Sequence, residues 1–149
     1  MKNLVVLCLA TLVVVFAGPR AYSGLEERSP FTEVKRIGDP PRQTFYMFST
    51  SVNKYTIRHD GLGDVLVRVR KIHFHLKVGS NSQIERLYFL EYEGDLLLLY
   101  EAGASGYLAR FDQKTKMIKS TREIKEDFEP PLLKEQSLTF SDGTVVPLN

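Results

Sequence analysis

From Thr44 onward, apolar positions recur every second residue, the period that sends alternate side chains to the two faces of a β-strand. Gln43 to Thr50 holds Phe45, Tyr46, Met47 and Phe48, a short aromatic strand. Lys54 to His59 alternates, with Tyr55 and Ile57 on one face. Asp60-Gly61-Leu62-Gly63-Asp64 is a turn signal. Asp64 to Val78 is the longest strand candidate. Val65, Val67 and Val69 share a face, but after Lys71 the apolar phase passes to Ile72, Phe74, Leu76 and Val78. A period of two cannot change phase without a bulge or a break, so one is expected near Arg70-Lys71.

Gly79-Ser80-Asn81-Ser82 turns the chain into a strand over Gln83 to Tyr92, and Glu93-Gly94-Asp95 turns it again. Leu96 to Tyr100 is apolar without interruption, as a strand buried on both faces requires. Gly103 to Gly106 breaks that run. Tyr107 to Asp112 and Met117 to Ile124 follow, separated by Gln113-Lys114-Thr115-Lys116. After Glu129-Pro130-Pro131, Ser137 to Leu148 predicts a last hairpin around Asp142-Gly143, with Pro147 confining its final strand to an edge. No stretch has the period of an amphipathic helix. Spacers of two to four residues imply antiparallel neighbours, since parallel crossovers need about a dozen residues or more. The expected fold is all-β: an antiparallel meander of about seven to nine strands, sandwich-like or an incomplete propeller.

Upstream of this pattern the chain has a different character. Met1-Lys2-Asn3 is cationic, Leu4 to Ala17 is apolar apart from Thr11, and Ala21-Tyr22-Ser23 offers small residues before Gly24. This order reads as a secretory signal peptide over residues 1–23, cut after Ser23 or, alternatively, after Ala17. The apolar run is about five residues short of a membrane span, so no stable span is expected after cleavage. Residues 24–42 carry few apolar residues and the Pro40-Pro41 pair, and read as a flexible N-terminal arm, ordered only if docked. Residues 43–149 are then a single β domain, and the chain is expected to be secreted or periplasmic.

Composition sharpens this reading. The single cysteine, Cys8, lies in the leader, so the exported chain has neither thiol nor disulfide, which fits a bacterial periplasmic or secreted protein. Removing Lys2 and Arg20 with the leader leaves 18 Lys+Arg against 18 Asp+Glu. A neutral chain makes no electrostatic case for nucleic acid or an anionic membrane.

One segment has a recognisable wording. Gly94-Asp95 followed by four leucines and Tyr100, then Gly106 to Phe111 ending in Asp112-Gln113-Lys114-Thr115, then Met117-Ile118-Lys119, resembles the blade repeat of pyrroloquinoline-quinone-type β-propellers over residues 83–124. In that repeat Asp112 would accept backbone N–H groups at the head of the turn, and Thr115 would close it. The chain departs from the repeat at Lys116, where the family has Gly, and in having no Trp. A closed propeller needs about four blades. The resemblance therefore implies a fragment, an assembly of copies or a degenerate relative, and it carries no cofactor residue.

Candidate chemistry is sparse. His73 and His75 lie two apart on one strand and share a face, as two ligands of a zinc ion would. Lys71 and Lys77 flank them and no carboxylate is adjacent in sequence. His59-Asp60 with Ser49, Ser51 or Ser137 has no nucleophile-elbow motif. Glu85, Glu91, Glu93, Asp95 and Glu101 crowd one strand, where two carboxylates across a cleft would make a glycosidase pair. No phosphate-cradling glycine loop is present. The preferred reading is an exported, non-catalytic binding or scaffolding module without a cofactor. Its ligand-binding candidates are His73, His75, Tyr88 and Tyr92. The partner would be a protein or a carbohydrate, with self-association through sheet edges as a further route. The alternatives are a small periplasmic metal-dependent hydrolase using His73 and His75, and a truncated propeller relative without activity of its own.

Overall fold

A computed structural model describes residues 27–38, 45–59, 65–78, 83–124 and 129–149. The leader with both cleavage sites, the Asp60–Asp64 turn and the Gly79–Ser82 turn lie outside the described residues. Among the described residues every regular element is a strand, and all pairing is antiparallel. The strands are β1 (Thr32–Glu33), β2 (Arg36–Ile37), β3 (Phe45–Ser49), β4 (Lys54–His59), β5 (Val65–Val69), β6 (Ile72–Leu76), β7 (Ile84–Tyr92), β8 (Asp95–Ala102), β9 (Ser105–Asp112), β10 (Met117–Ile124), β11 (Leu132–Lys134), β12 (Ser137–Thr139) and β13 (Val145–Pro147). They form three open sheets. The first has the order β2-β3-β4-β5-β6, the second β1-β7-β8-β9-β10 and the third β11-β12-β13.

The second sheet is central, because its residues alternate between two separate cores. Leu96, Leu98 and Tyr100 of β8 join Tyr107, Ala109 and Phe111 of β9 in a core shared with Tyr55, Ile57, Val65, Val67 and Val69 of the first sheet. Leu97, Leu99 and Leu108 point the other way and pack with Leu138, Phe140, Val146 and Leu148 of the third sheet region. The uninterrupted apolar run of β8 is thus used on both faces, and Leu96 to Tyr100 are all buried. Rings lock the first core: Phe48 stacks on Phe89 with centroids 4.7 Å apart, and Phe74 stacks on Phe111 at 4.6 Å.

The phase change at Arg70-Lys71 is a complete reversal. Val69 pairs with Ile72, so a two-residue turn divides the long strand candidate into β5 and β6. Arg70 adopts φ 56°, a conformation usually left to glycine or asparagine, so the turn lacked its usual sequence signal. At the β7–β8 turn both central residues have positive φ, Glu93 at 48° and Gly94 at 83°, as a type I′ hairpin demands. The C-terminal hairpin closes where Asp142 Oδ1 accepts the Thr144 N–H at 2.8 Å and Gly143 takes φ 86°.

Among the described residues, thirteen strands exceed the expected seven to nine. The surplus is mostly two- and three-residue pieces too short to show a period: β1, β2 and β11. Within the segment read as an arm, residues 27–38 are docked. Phe31 is buried in the second core and Val34 in the first, while β1 pairs with β7 and β2 with β3. Two anchors three residues apart carry the chain from one layer to the next, a signal too sparse for any periodicity to detect.

Three buried tyrosines tie the first and central sheets together. Tyr46 donates to the Ile84 carbonyl at 2.8 Å, Tyr100 to the Lys77 carbonyl at 2.7 Å, and Tyr55 to Gln113 Oε1 at 2.9 Å. Burial raises the pKa of all three hydroxyls. Neighbouring Arg36 partly offsets it at Tyr46, the Asn53 side chain partly offsets it at Tyr55, and Tyr107 reinforces it at Tyr100. Each native value lies above the unfolded one. The neutral phenols therefore cost nothing below about pH 10, and stability is lost as pH rises toward the native values. In an alkaline titration followed by tyrosinate absorbance, part of the signal from the seven tyrosines is expected to appear only as the β signal in circular dichroism collapses. Smooth ionisation of all of them near the ordinary tyrosine value, with the fold intact, would contradict this.

Candidate functional site

The first sheet covers the central sheet with one face, and among the described residues no element packs on its other face. Alternation decides what the bare face presents. With Tyr46, Tyr55, Ile57, Val65, Val67 and Val69 turned inward, the intervening residues turn out: Phe45, Met47 and Ser49 on β3, Lys54, Thr56 and Arg58 on β4, Leu66 and Arg68 on β5, His73 and His75 on β6. The register aligns them in rows across the sheet. Met47, Thr56, Arg68 and His73 form one row. Ile37, Phe45, Arg58, Leu66 and His75 form the next.

His73 and His75 are both exposed, on the edge strand of this sheet and on one face. Directly across the pairing stand Arg68, opposite His73, and Leu66, opposite His75. Neither neighbour is a metal ligand, and Arg68 brings positive charge. Among the described residues no three His, Cys, Asp or Glu side chains are grouped to hold a metal ion.

Tyr88 and Tyr92 lie in another layer. They are half-buried on β7 and pack with Leu90 against the second core, between the central and third sheets. The fold therefore does not bring the two histidines and the two tyrosines together. Tyr92 instead borders an open concavity of about 690 Å³ with Glu93, Glu135 and Asn149. The imagined serine–histidine set is also dispersed. His59 is buried on the inner face of β4, Ser49 is outward-facing at the opposite end of the same strand pair, and Ser137 belongs to the third sheet.

The crowded carboxylates have structural partners. Asp95 is buried and bonded to Arg110 and Lys119. Glu101 pairs with Arg86 at 2.7 Å. Glu91 accepts from the Ser51 hydroxyl at 2.7 Å, the Ser51 N–H at 3.0 Å and the Gln113 amide at 3.1 Å. Partial burial would raise the Glu91 pKa, but the Ser51 and Gln113 hydrogen bonds outweigh it and hold the carboxyl below its ordinary value. All three carboxylates are engaged by structural partners, and the lowered pKa of Glu91 is the wrong preparation for a proton-donating acid. At the β9–β10 turn, Asp112 Oδ1 accepts the Lys114 N–H at 2.8 Å and the Thr115 N–H at 3.0 Å, and these bonds, led by that from Thr115, lower its pKa. Gln113 of the same turn is buried. Its Oε1 accepts from Thr50 and Tyr55, so the turn serves as a polar plug between the two sheets.

The residues missed from sequence are those that share rows with the histidines, Arg58, Arg68 and Met47, and Lys54 on the same face. A signal for them existed. Between Phe45 and Ile84 the only acids are Asp60 and Asp64, while Lys54, Arg58, Arg68, Arg70, Lys71 and Lys77 all fall there. Summing charge over the whole chain conceals that segregation.

Fold and face together define a class: a three-layer antiparallel β protein with one cationic sheet face left open. Compared with protein-family models, curated proteins and solved structures, the chain matches none of them.

Proposed function

We propose that this chain is an exported, non-catalytic binding module that recognises its partner through the outer face of the first sheet. Export rests on the order of cationic start, apolar run and small-residue site in residues 1–23. The single observation that carries the binding role is the bare face itself. Arg58, Arg68, His73 and His75 are exposed on it, and Met47 stands 56% exposed among them. An exposed apolar side chain among unbalanced cations supports a recognition role for this face. Kinship with propeller blades is a second reading. It draws on two consecutive four-stranded meanders, β3 to β6 and β7 to β10, stacked in chain order over one core.

The test compares wild type with an Arg68→Glu/His73→Glu variant, checked by circular dichroism, on a panel of neutral and acidic glycans, lipids and proteins. The reading expects any ligand retained by wild type to be lost by the variant. Ligands held equally by both would contradict it. Stoichiometric zinc in untagged protein, lost in a His73→Ala/His75→Ala variant, would replace it with the metal-dependent hydrolase.

A further inference from the structure

We infer that the outer face of the first sheet docks on the surface of an anionic lipid bilayer, an inference that rests on the binding reading above and names its partner. Three features of the face select this occupant. The first is charge. The described residues of β3 to β6 and their turns include no Asp or Glu, while their exposed Lys and Arg side chains are Lys54, Arg58, Arg68, Arg70, Lys71 and Lys77. Asp60 and Asp64, in the β4–β5 connection, lie outside the described residues. Glu91 reaches the rim of the sheet at Ser51, and the other described acids belong to residues 27–38 or to the chain after Gln83.

The second feature is apolar projection. Met47 is 56% exposed and Ile37 44%, and Phe45 and Leu66 are partly exposed on the same rows as the cations. A soluble polyanion gains nothing from these side chains. At a bilayer, apolar side chains enter the headgroup boundary while the neighbouring cations meet lipid phosphates. The third feature is shape. Five strands at about 4.8 Å spacing make a platform about 19 Å across, open on its outer side. Such a platform enters no nucleic-acid groove, and among its described residues the only outward Phe or Tyr ring is the half-buried Phe45, since Tyr46 and Tyr55 point inward. Base stacking has no aromatic platform there. A second copy of the chain would place two cationic faces against each other.

The chain has no tryptophan, so one introduced indole reports its own surroundings. All described strands lie within residues 32–147, and the chain lacking residues 1–23 is the species to use. Met47→Trp should shift its emission to the blue with phosphatidylglycerol–phosphatidylcholine vesicles and not with phosphatidylcholine alone. Met117→Trp, on the 66% exposed position of β10, should not shift with either. Neutralising Lys54 and Arg68 to Gln should lower partition into the anionic vesicles about tenfold or more, and high salt should abolish it. Four results would overturn the inference: no partition, equal partition into neutral vesicles, a shift in the Met117→Trp protein but not in the Met47→Trp protein, or tight binding of a soluble sulfated polysaccharide without vesicle binding. In the last case, sensitivity to the Arg68→Glu/His73→Glu variant would preserve the binding face and remove only the lipid. Insensitivity to it would remove both.

Discussion

Phe111→Ala is expected to lower the free energy of unfolding by about 3–5 kcal/mol, a large share of what a domain of this size possesses. Phe111 ends the buried part of β9 and is 1% exposed. Its ring stacks on Phe74 of β6 and meets Tyr55 of β4 edge-on, with centroids 6.0 Å apart. Deleting it opens a cavity between two sheets whose backbones are held by their own ladders and cannot close the gap. Phe111→Leu keeps most of the volume and should cost less than half as much. A double-mutant cycle with Phe74→Leu should show coupling of about 0.5–1.5 kcal/mol, the usual worth of an aromatic pair beyond its buried area. Urea melts of wild type, the three single variants and the double variant measure both quantities. A loss under about 1 kcal/mol for Phe111→Ala, with no coupling, would mean that residues 83–124 do not depend on residues 45–78, as a lone blade would not.

How much of this was legible in sequence depends on which physical quantity carried the information. Period-two alternation is local, so β3, β4 and β7 to β10 could be read within a residue or two. The leucine run of β8 could even be read as buried on both sides, since no single-faced strand tolerates Leu96 to Leu99 in a row. The division of β5 from β6 was visible only as a phase change. Its turn is built from Arg70 and Lys71, residues that mark a turn by conformation and not by type. Docking of the N-terminal segment was not legible. It depends on Phe31 and Val34 finding partners such as Leu97 and Leu87, more than fifty residues away. Long-range complementarity of that kind leaves no trace in a local window.

The candidate site divides in the same way. That His73 and His75 share an exposed face follows from strand periodicity alone. Their company does not. Arg68 and Leu66 lie opposite them only because the chain reverses at Arg70-Lys71, and Arg58 and Met47 join the same rows through two further turns. Tyr88 and Tyr92 lie on one strand, and nothing in their local pattern tells which layer they face. Register sends them to the far side of the central sheet, where their rings pack on the second core. The same parity hid the meaning of Asp95, which looked like one of a row of surface acids.

Asp95→Ala is the second large effect, and it separates a structural carboxylate from a surface one. Asp95 opens β8, and its side chain is 3% exposed. It accepts hydrogen bonds from Arg110 of β9 and, at 2.8 and 3.0 Å, from Lys119 of β10, while Arg110 also holds the Leu148 carbonyl at 2.6 Å. One carboxylate therefore joins three strands to the C-terminal tail. Removing one partner of a fully buried pair costs about 3–5 kcal/mol. Here Lys119 is 45% exposed and Arg110 22%, so water recovers part of that, and a loss of about 2–3 kcal/mol is expected. Amide hydrogen exchange should rise most in β10 and around Leu148, which lose their tether. Glu101→Gln is the internal control. Its partner Arg86 is 41% exposed, and an ion pair so well solvated is worth at most about 1 kcal/mol. Equal effects of the two substitutions would sink the argument, because Asp95 is buried and bridges two cations whereas Glu101 pairs with the well-solvated Arg86. An Asp95→Leu/Arg110→Met variant completes the test. It replaces carboxylate and guanidinium with apolar groups of similar bulk, and should recover much of the stability that Asp95→Ala loses.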